Sequence, residues 1–135
     1  MGDYENWEEE CEVVRKENGA LLEKFEKWLA DKGLKGKTIR NHVGNVDFYI
    51  NEYLLYYDPV TRPGHGISAI LGFFEDWFPR KALWANPTNV KSMAASIKKF
   101  YQFLVEQGMV ENDDVQELKE EIKAGLPDWM EAAEI

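Results

Sequence analysis

Two stretches of the chain combine cations with an absence of anions. Residues 34–46 and 77–105 contain no Asp or Glu, yet hold eight of the sixteen Lys and Arg: Lys35, Lys37, Arg40, Arg80, Lys81, Lys91, Lys98 and Lys99. Cations gathered without acids are suited to neutralising phosphate. Among them stand Thr38, Asn41, Asn45, Ser92, Ser96 and Gln102, residue types that hydrogen-bond to a nucleic-acid backbone or to base edges. The rest of the chain pulls the other way. Net charge is −9, and residues 1–18 and 106–135 carry 17 of the 25 acids. The expectation is an acidic protein with one basic face. Ordinary solvent-facing positions of a helical protein are the competing reading of the same residues.

Other chemistries find little support. Cys11 is the lone cysteine, and His42 and His65 are the only histidines. Cys11 lies in an acidic segment, which raises a thiol's pKa and so opposes its use as a nucleophile. Glu8, Glu9 and Glu12, and Glu117, Glu120 and Glu121, are spaced like helical carboxylate clusters. No Glu-x-x-His accompanies them, so solvated faces are expected and no metal. The chain has no phosphate-binding loop, His-Glu-x-x-His, Cys/His metal spacing or Gly-x-Ser-x-Gly. Gly64-His65-Gly66 reads as a tight connection. No catalytic residue, cofactor or small-molecule substrate is therefore expected. No apolar run is long enough for a membrane span, and the opening residues are acidic where a signal peptide is basic and then apolar. With a single cysteine, this points to the cytoplasm.

Periodicity shows which elements must position the basic residues. No sustained alternating run predicts a strand, so the class expected is all-α, a compact orthogonal bundle of about five to six helices. The chain reads as one domain: an acidic N-terminal helix within 1–17, a core over 18–108 and an acidic helical extension over 109–135. A first helix is expected from about Tyr4 to Lys16, and a second from Asn18 to Lys32, closed by Gly33. A third starts near Lys37, with Ile39, Val43, Val46, Ile50 and Tyr53 or Leu54 as its buried stripe. It must end before Asp58-Pro59, and 59–66 is a loop. A fourth, over about Ile67–Phe78, should stop at or before Pro79. The aromatics Phe73, Phe74, Trp77, Phe78 and Trp84 read mainly as core, with a partner-facing patch as the alternative.

Asn86-Pro87 pairs an N-cap side chain with proline at the first helical position. It opens a fifth helix that Gly108 closes. Val90, Met93, Ala94, Ile97, Tyr101 and Leu104 form its buried stripe, which leaves Lys91, Ser92, Ala95, Lys98, Lys99 and Gln102 on the remaining surface. A sixth helix runs from an Asn112 cap to about Ala124. Pro127 then begins a short terminal helix with Trp129 and Met130.

Two segments resemble a known family. Leu21-Leu22-Glu23-Lys24-Phe25-Glu26-Lys27-Trp28-Leu29, Lys32-Gly33-Leu34 and Lys37-Thr38-Ile39-Arg40-Asn41-His42-Val43 are similar to the opening of the SAM-like core-binding domain of phage integrases, the tyrosine site-specific recombinases. Ser96-Ile97-Lys98-Lys99-Phe100-Tyr101-Gln102-Phe103-Leu104-Val105-Glu106-Gln107-Gly108 is similar to a later helix of that domain, and the two occur in the family's order. The chain departs from the pattern after Gly108, where an acidic segment replaces the usual Asn-Pro, and in its aromatic-rich 58–85 region.

The resemblance implies a stand-alone module that binds double-stranded DNA and is linked to DNA integration or recombination. It places the third and fifth helices along the duplex. Lys37, Arg40, Lys91, Lys98 and Lys99 would then meet phosphates, with Thr38, Asn41, Asn45, Ser92 and Gln102 beside them. The family's cleavage chemistry needs a tyrosine nucleophile, converging arginines and a His-x-x-Arg element. His42 is followed at that spacing by Asn45 and His65 by Ser68, and no Arg follows Lys99. A non-enzyme is expected, for which a protein partner or a separate catalytic subunit is a candidate companion. The alternative is a protein–protein interaction module on the same fold that has lost DNA binding.

Overall fold

The computed structural model describes the backbone of residues 3–134 and the side chains of residues 5–134. Met1, Gly2 and Ile135, part of the acidic termini read above, lie outside the described residues. Every regular element among the described residues is helical, so the protein is all-α. The α-helices are α1 (Asp3–Asp31), α2 (Gly36–Asp47), α3 (Ile70–Gly72), α4 (Phe78–Lys81), α5 (Pro87–Glu106) and α6 (Asn112–Ala132). The chain forms two compact units, residues 1–66 and 67–135.

In the first unit the two expected N-terminal helices are one. Asn18 and Gly19 suggested a boundary, because asparagine favours caps and a mid-helix glycine costs about 1 kcal/mol. The structure overrides both. Asn18 is buried inside α1, and its side-chain amide donates to Asn51 Oδ1 at 2.8 Å and to the Ile50 carbonyl at 3.5 Å. A polar group engaged this way is stabilising mid-helix, where its partners lie far along the sequence. α1 ends as expected. Gly33, at φ +84°, donates to the Ala30 carbonyl while Leu34 donates to Leu29, which together form a Schellman cap. Lys32 places its ammonium 5.0 Å from the Trp28 ring centroid.

α2 packs against α1 and buries Ile39, His42 and Val46. It widens into a π-helical turn at Phe48–Tyr53, and that turn shifts the stripe's register. Leu54 is therefore buried, whereas Tyr53 is half-exposed. Tyr49 donates its hydroxyl to the Gly66 carbonyl at 2.9 Å, tying the 59–66 loop to the helix.

Cys11 and Val14 of α1 pack on Leu55, with Trp7 and Val60 beside them. Burial pushes the Cys11 thiol up, more than Arg15 nearby lowers it. The neutral thiol is therefore the native form. Its contribution to stability is complete below the ordinary thiol range and is lost as pH rises past it. We expect Ellman's reagent to label Cys11 only as the protein unfolds. Rapid labelling of the native protein at pH 8 would contradict this burial.

In the second unit, Pro79, expected at a helix end, and Pro127, expected at a helix start, differ from expectation. Pro79 is in the first turn of α4, directly after a π-helical turn at Phe73–Trp77. The wide turn accommodates a residue that has no N–H to give the preceding carbonyls. The helical path therefore reaches Lys81 and does not stop at Phe78. Pro127 lies inside α6, which runs unbroken to Ala132, so the expected separate terminal helix is part of α6. Nor does Asn112 cap this helix. Glu111 holds the cap position, and Asn112 Oδ1 accepts from Gln116 instead.

α5 forms as its sequence requires. The Asn86 side chain accepts from the Asn89 N–H at 2.8 Å, Pro87 occupies the first turn, and Gly108 at φ +73° closes a second Schellman cap. All six residues of its expected stripe are buried, along with Phe100 and Phe103. α5 and α6 pack against one another. Trp129 lies parallel to Phe74, with centroids 4.7 Å apart.

Candidate nucleic-acid interface

The start of α2 concentrates positive charge. Its cap position is held by Lys35, which gives no side-chain hydrogen bond, and its first turn has no acid. The unsatisfied N–H groups of a helix start carry roughly half a positive charge. Lys37 and Arg40 add two formal charges there. Arg40 folds back over the first turn, and a Cβ built on Gly36 would lie 3.3 Å from its Nη1. Glycine therefore gives the guanidinium room to lie close to the helix start. Lys37, Thr38, Arg40 and Asn41 together line an open depression of about 500 Å³. All four are exposed, and Lys37 and Arg40 make no ion pair among the described residues. Asn45, one turn further along, is half-buried. The depression thus gathers four of the five α2 residues singled out from sequence and lacks the fifth. Chemically it suits an anion with several oxygens, such as a phosphate.

α5 offers an elongated surface. Lys91 and Lys98 are seven residues apart, two turns and about 10.5 Å along the axis, and Lys99 adjoins them. Lys91 and Lys99 are exposed and Lys98 half-buried, and none makes an ion pair among the described residues. Ser92 is half-buried, and its carbonyl accepts from the Ser96 hydroxyl at 3.1 Å. Ser96 itself is fully buried, so it cannot reach a ligand at the surface. It is removed from the polar set expected on this face. Gln102 is half-buried, and its Oε1 accepts from Lys119 Nζ of α6 at 2.9 Å. Gln102 is thus engaged within the protein, and it holds an additional cation beside α5. Sequence reasoning missed Lys119, because it sits among the acids of α6 and only helix packing brings it to Gln102.

Arg80 contributes less than the sequence suggested. Asp76, one residue outside the acid-free stretch, pairs with it at 2.8 Å and 3.2 Å. The guanidinium holds the Asp76 carboxyl below its usual range. A parallel pair, Arg62 with Glu17, lowers the Glu17 carboxyl in the first unit. Both pairs are exposed, and such pairs add little to stability. Among the described residues there is no cluster of three or more metal-ligating side chains, and no helix is long and apolar enough to cross a membrane. Comparison with family models, curated proteins and solved structures gives no match.

Proposed function

We propose that the chain is a non-catalytic module that binds duplex DNA through its phosphates, as its resemblance to recombinase core-binding domains implies. The observation that carries this reading is the depression at the start of α2. There Lys37, Arg40 and an uncapped helix N-terminus meet with Thr38 and Asn41. Lys91, Lys98 and Lys99 of α5, which make no ion pair among the described residues, support it separately. Its role would be to hold DNA for integration or recombination chemistry performed by another subunit or domain.

The test is equilibrium binding of the purified chain to a short duplex over a salt series. Binding should be weak and should fall linearly on a log–log plot, with a slope of about −0.9 for each phosphate neutralised. No complex even at low salt would overturn the reading. The second reading, a protein-interaction module, draws on the exposed acids of α6, Asp113, Asp114, Glu117, Glu120 and Glu121. A stable protein partner found together with absent DNA binding would favour it.

A further inference from the structure

Residues 82–85 carry an apolar tip that the phosphate contacts leave unused. Ala85 donates its N–H to the Ala82 carbonyl at 3.1 Å, forming a turn with Leu83 and Trp84 at its two central positions. The turn is held from both sides. Ala82 donates to the Phe78 carbonyl at 3.0 Å, closing α4, and the Asn89 side-chain amide of α5 donates to the Trp84 carbonyl. The Trp84 ring stands edge-on to buried Phe78, with centroids 5.0 Å apart. Leu83 is nonetheless fully exposed and Trp84 is 45% exposed. Trp84 thus departs from the core position read for it.

An apolar tip already fixed in place can be engaged by a partner without the cost of ordering it first. The charge around it points to an anionic partner. Lys81 precedes Leu83 by two residues, and Lys91 lies on the helix whose first turn pins Trp84. No acid occurs from 77 to 105, and Asp76 just before that stretch is paired with Arg80. Duplex DNA and an anionic bilayer both offer an apolar interior behind a layer of phosphates. They differ in how much apolar surface they require. A segment that lies in a bilayer surface presents a whole apolar helix face, which two adjacent side chains do not supply. A wedge between base steps needs only one or two apolar side chains beside cations.

We propose that the 82–85 turn is such a wedge. Leu83 enters between two base pairs and partly unstacks them, Trp84 braces it, and the duplex kinks there. This rests on the duplex binding proposed above and adds a deformation that phosphate contacts alone do not cause. The preferred site would be a pyrimidine–purine step, which unstacks most easily.

The test uses a short duplex with 2-aminopurine at a central TA step and a dye at one end. Dye anisotropy reports binding, and 2-aminopurine emission reports unstacking. Wild type should raise both signals. Leu83→Ala should lose most of the emission rise while affinity weakens by about tenfold or less, because the unstacking it forgoes offsets the lost contact. Trp84→Ala should lose part of it. Leu83 is fully exposed, so unchanged circular dichroism is expected for its variant. Wild-type binding without an emission rise, or a rise that survives Leu83→Ala, overturns the wedge and leaves duplex binding standing. No anisotropy change at low salt overturns both. Leu83-dependent co-sedimentation with phosphatidylserine vesicles, without unstacking of DNA, overturns the wedge in favour of a lipid surface.

Discussion

Replacing Lys98 and Lys99 together by glutamate should weaken duplex affinity about a hundredfold at 0.1 M salt and leave the fold intact. Each phosphate contact contributes about 0.9 to the logarithm of the binding constant per tenfold dilution of salt. Losing two contacts therefore lowers affinity at 0.1 M by about sixtyfold, and reversed charges add repulsion. The log–log slope should become shallower by about two. Stability should barely move, because neither lysine has an ion-pair partner among the described residues and such surface changes usually stay within about 0.5 kcal/mol. Lys37→Glu with Arg40→Glu makes the same prediction for the depression on α2. The control is Lys24→Glu with Lys27→Glu on α1, both exposed, which changes net charge by the same amount. If the control weakens binding equally, total charge governs the affinity and neither surface is a site.

The elements that carry these cations were legible because their signals are local. Gly33 and Gly108 close helices through their own backbone conformations, and Asn86-Pro87 opens α5 within a single turn. The α5 stripe runs for about four turns from Val90 to Leu104, long enough for periodicity to identify its buried face. Signals that depend on distant partners were not legible. Asn18 reads as a cap until Asn51 and the Ile50 carbonyl are placed beside it. Ser96 has the same residue type as Ser92 and sits four positions away, yet it is fully buried. Gln102 loses its acceptor to Lys119 of another helix. The Arg80–Asp76 pair is different: as an i,i+4 pair it is a sequence-level feature, but Asp76 lies just outside the acid-free stretch that singles out Arg80.

Pro127 departs furthest from its sequence expectation, and it lies beside a tight packing constraint in the second unit. Pro127 lies inside α6, where its ring crowds the preceding turn and its missing N–H leaves a carbonyl without its usual donor. The helix nonetheless continues to Ala132, with Trp129 buried on the far side of the proline. That indole is 93% buried, taking its exposure of 7%, and it lies within 4° of parallel on Phe74. The ring reaches this position by lying across Gly125, four residues earlier. A Cβ on Gly125 would come within 2.6 Å of Trp129 Cε2 and 2.9 Å of Cη2, and closer still to Cζ2.

Gly125→Ala should therefore destabilise the protein, against the usual direction of that substitution in a helix. Alanine normally gains about 1 kcal/mol over glycine at an interior helical position. Here the methyl meets a ring already in contact with Phe74. Overpacking of this kind costs about 1–3 kcal/mol, and a ring driven out of its site forfeits about 3–5 kcal/mol. The clash wins, for a net loss of about 2 kcal/mol and a fall in the melting midpoint of about 8 °C. Gly19→Ala supplies the opposite sign, because a Cβ at Gly19 meets nothing within 4 Å, so it should gain about 1 kcal/mol. A Trp129→Leu background separates the causes. With the indole gone, Gly125→Ala should become neutral or stabilising, and the two changes should be strongly non-additive. If Gly125→Ala destabilises equally with and without Trp129, the glycine serves the backbone next to Pro127 and not the ring.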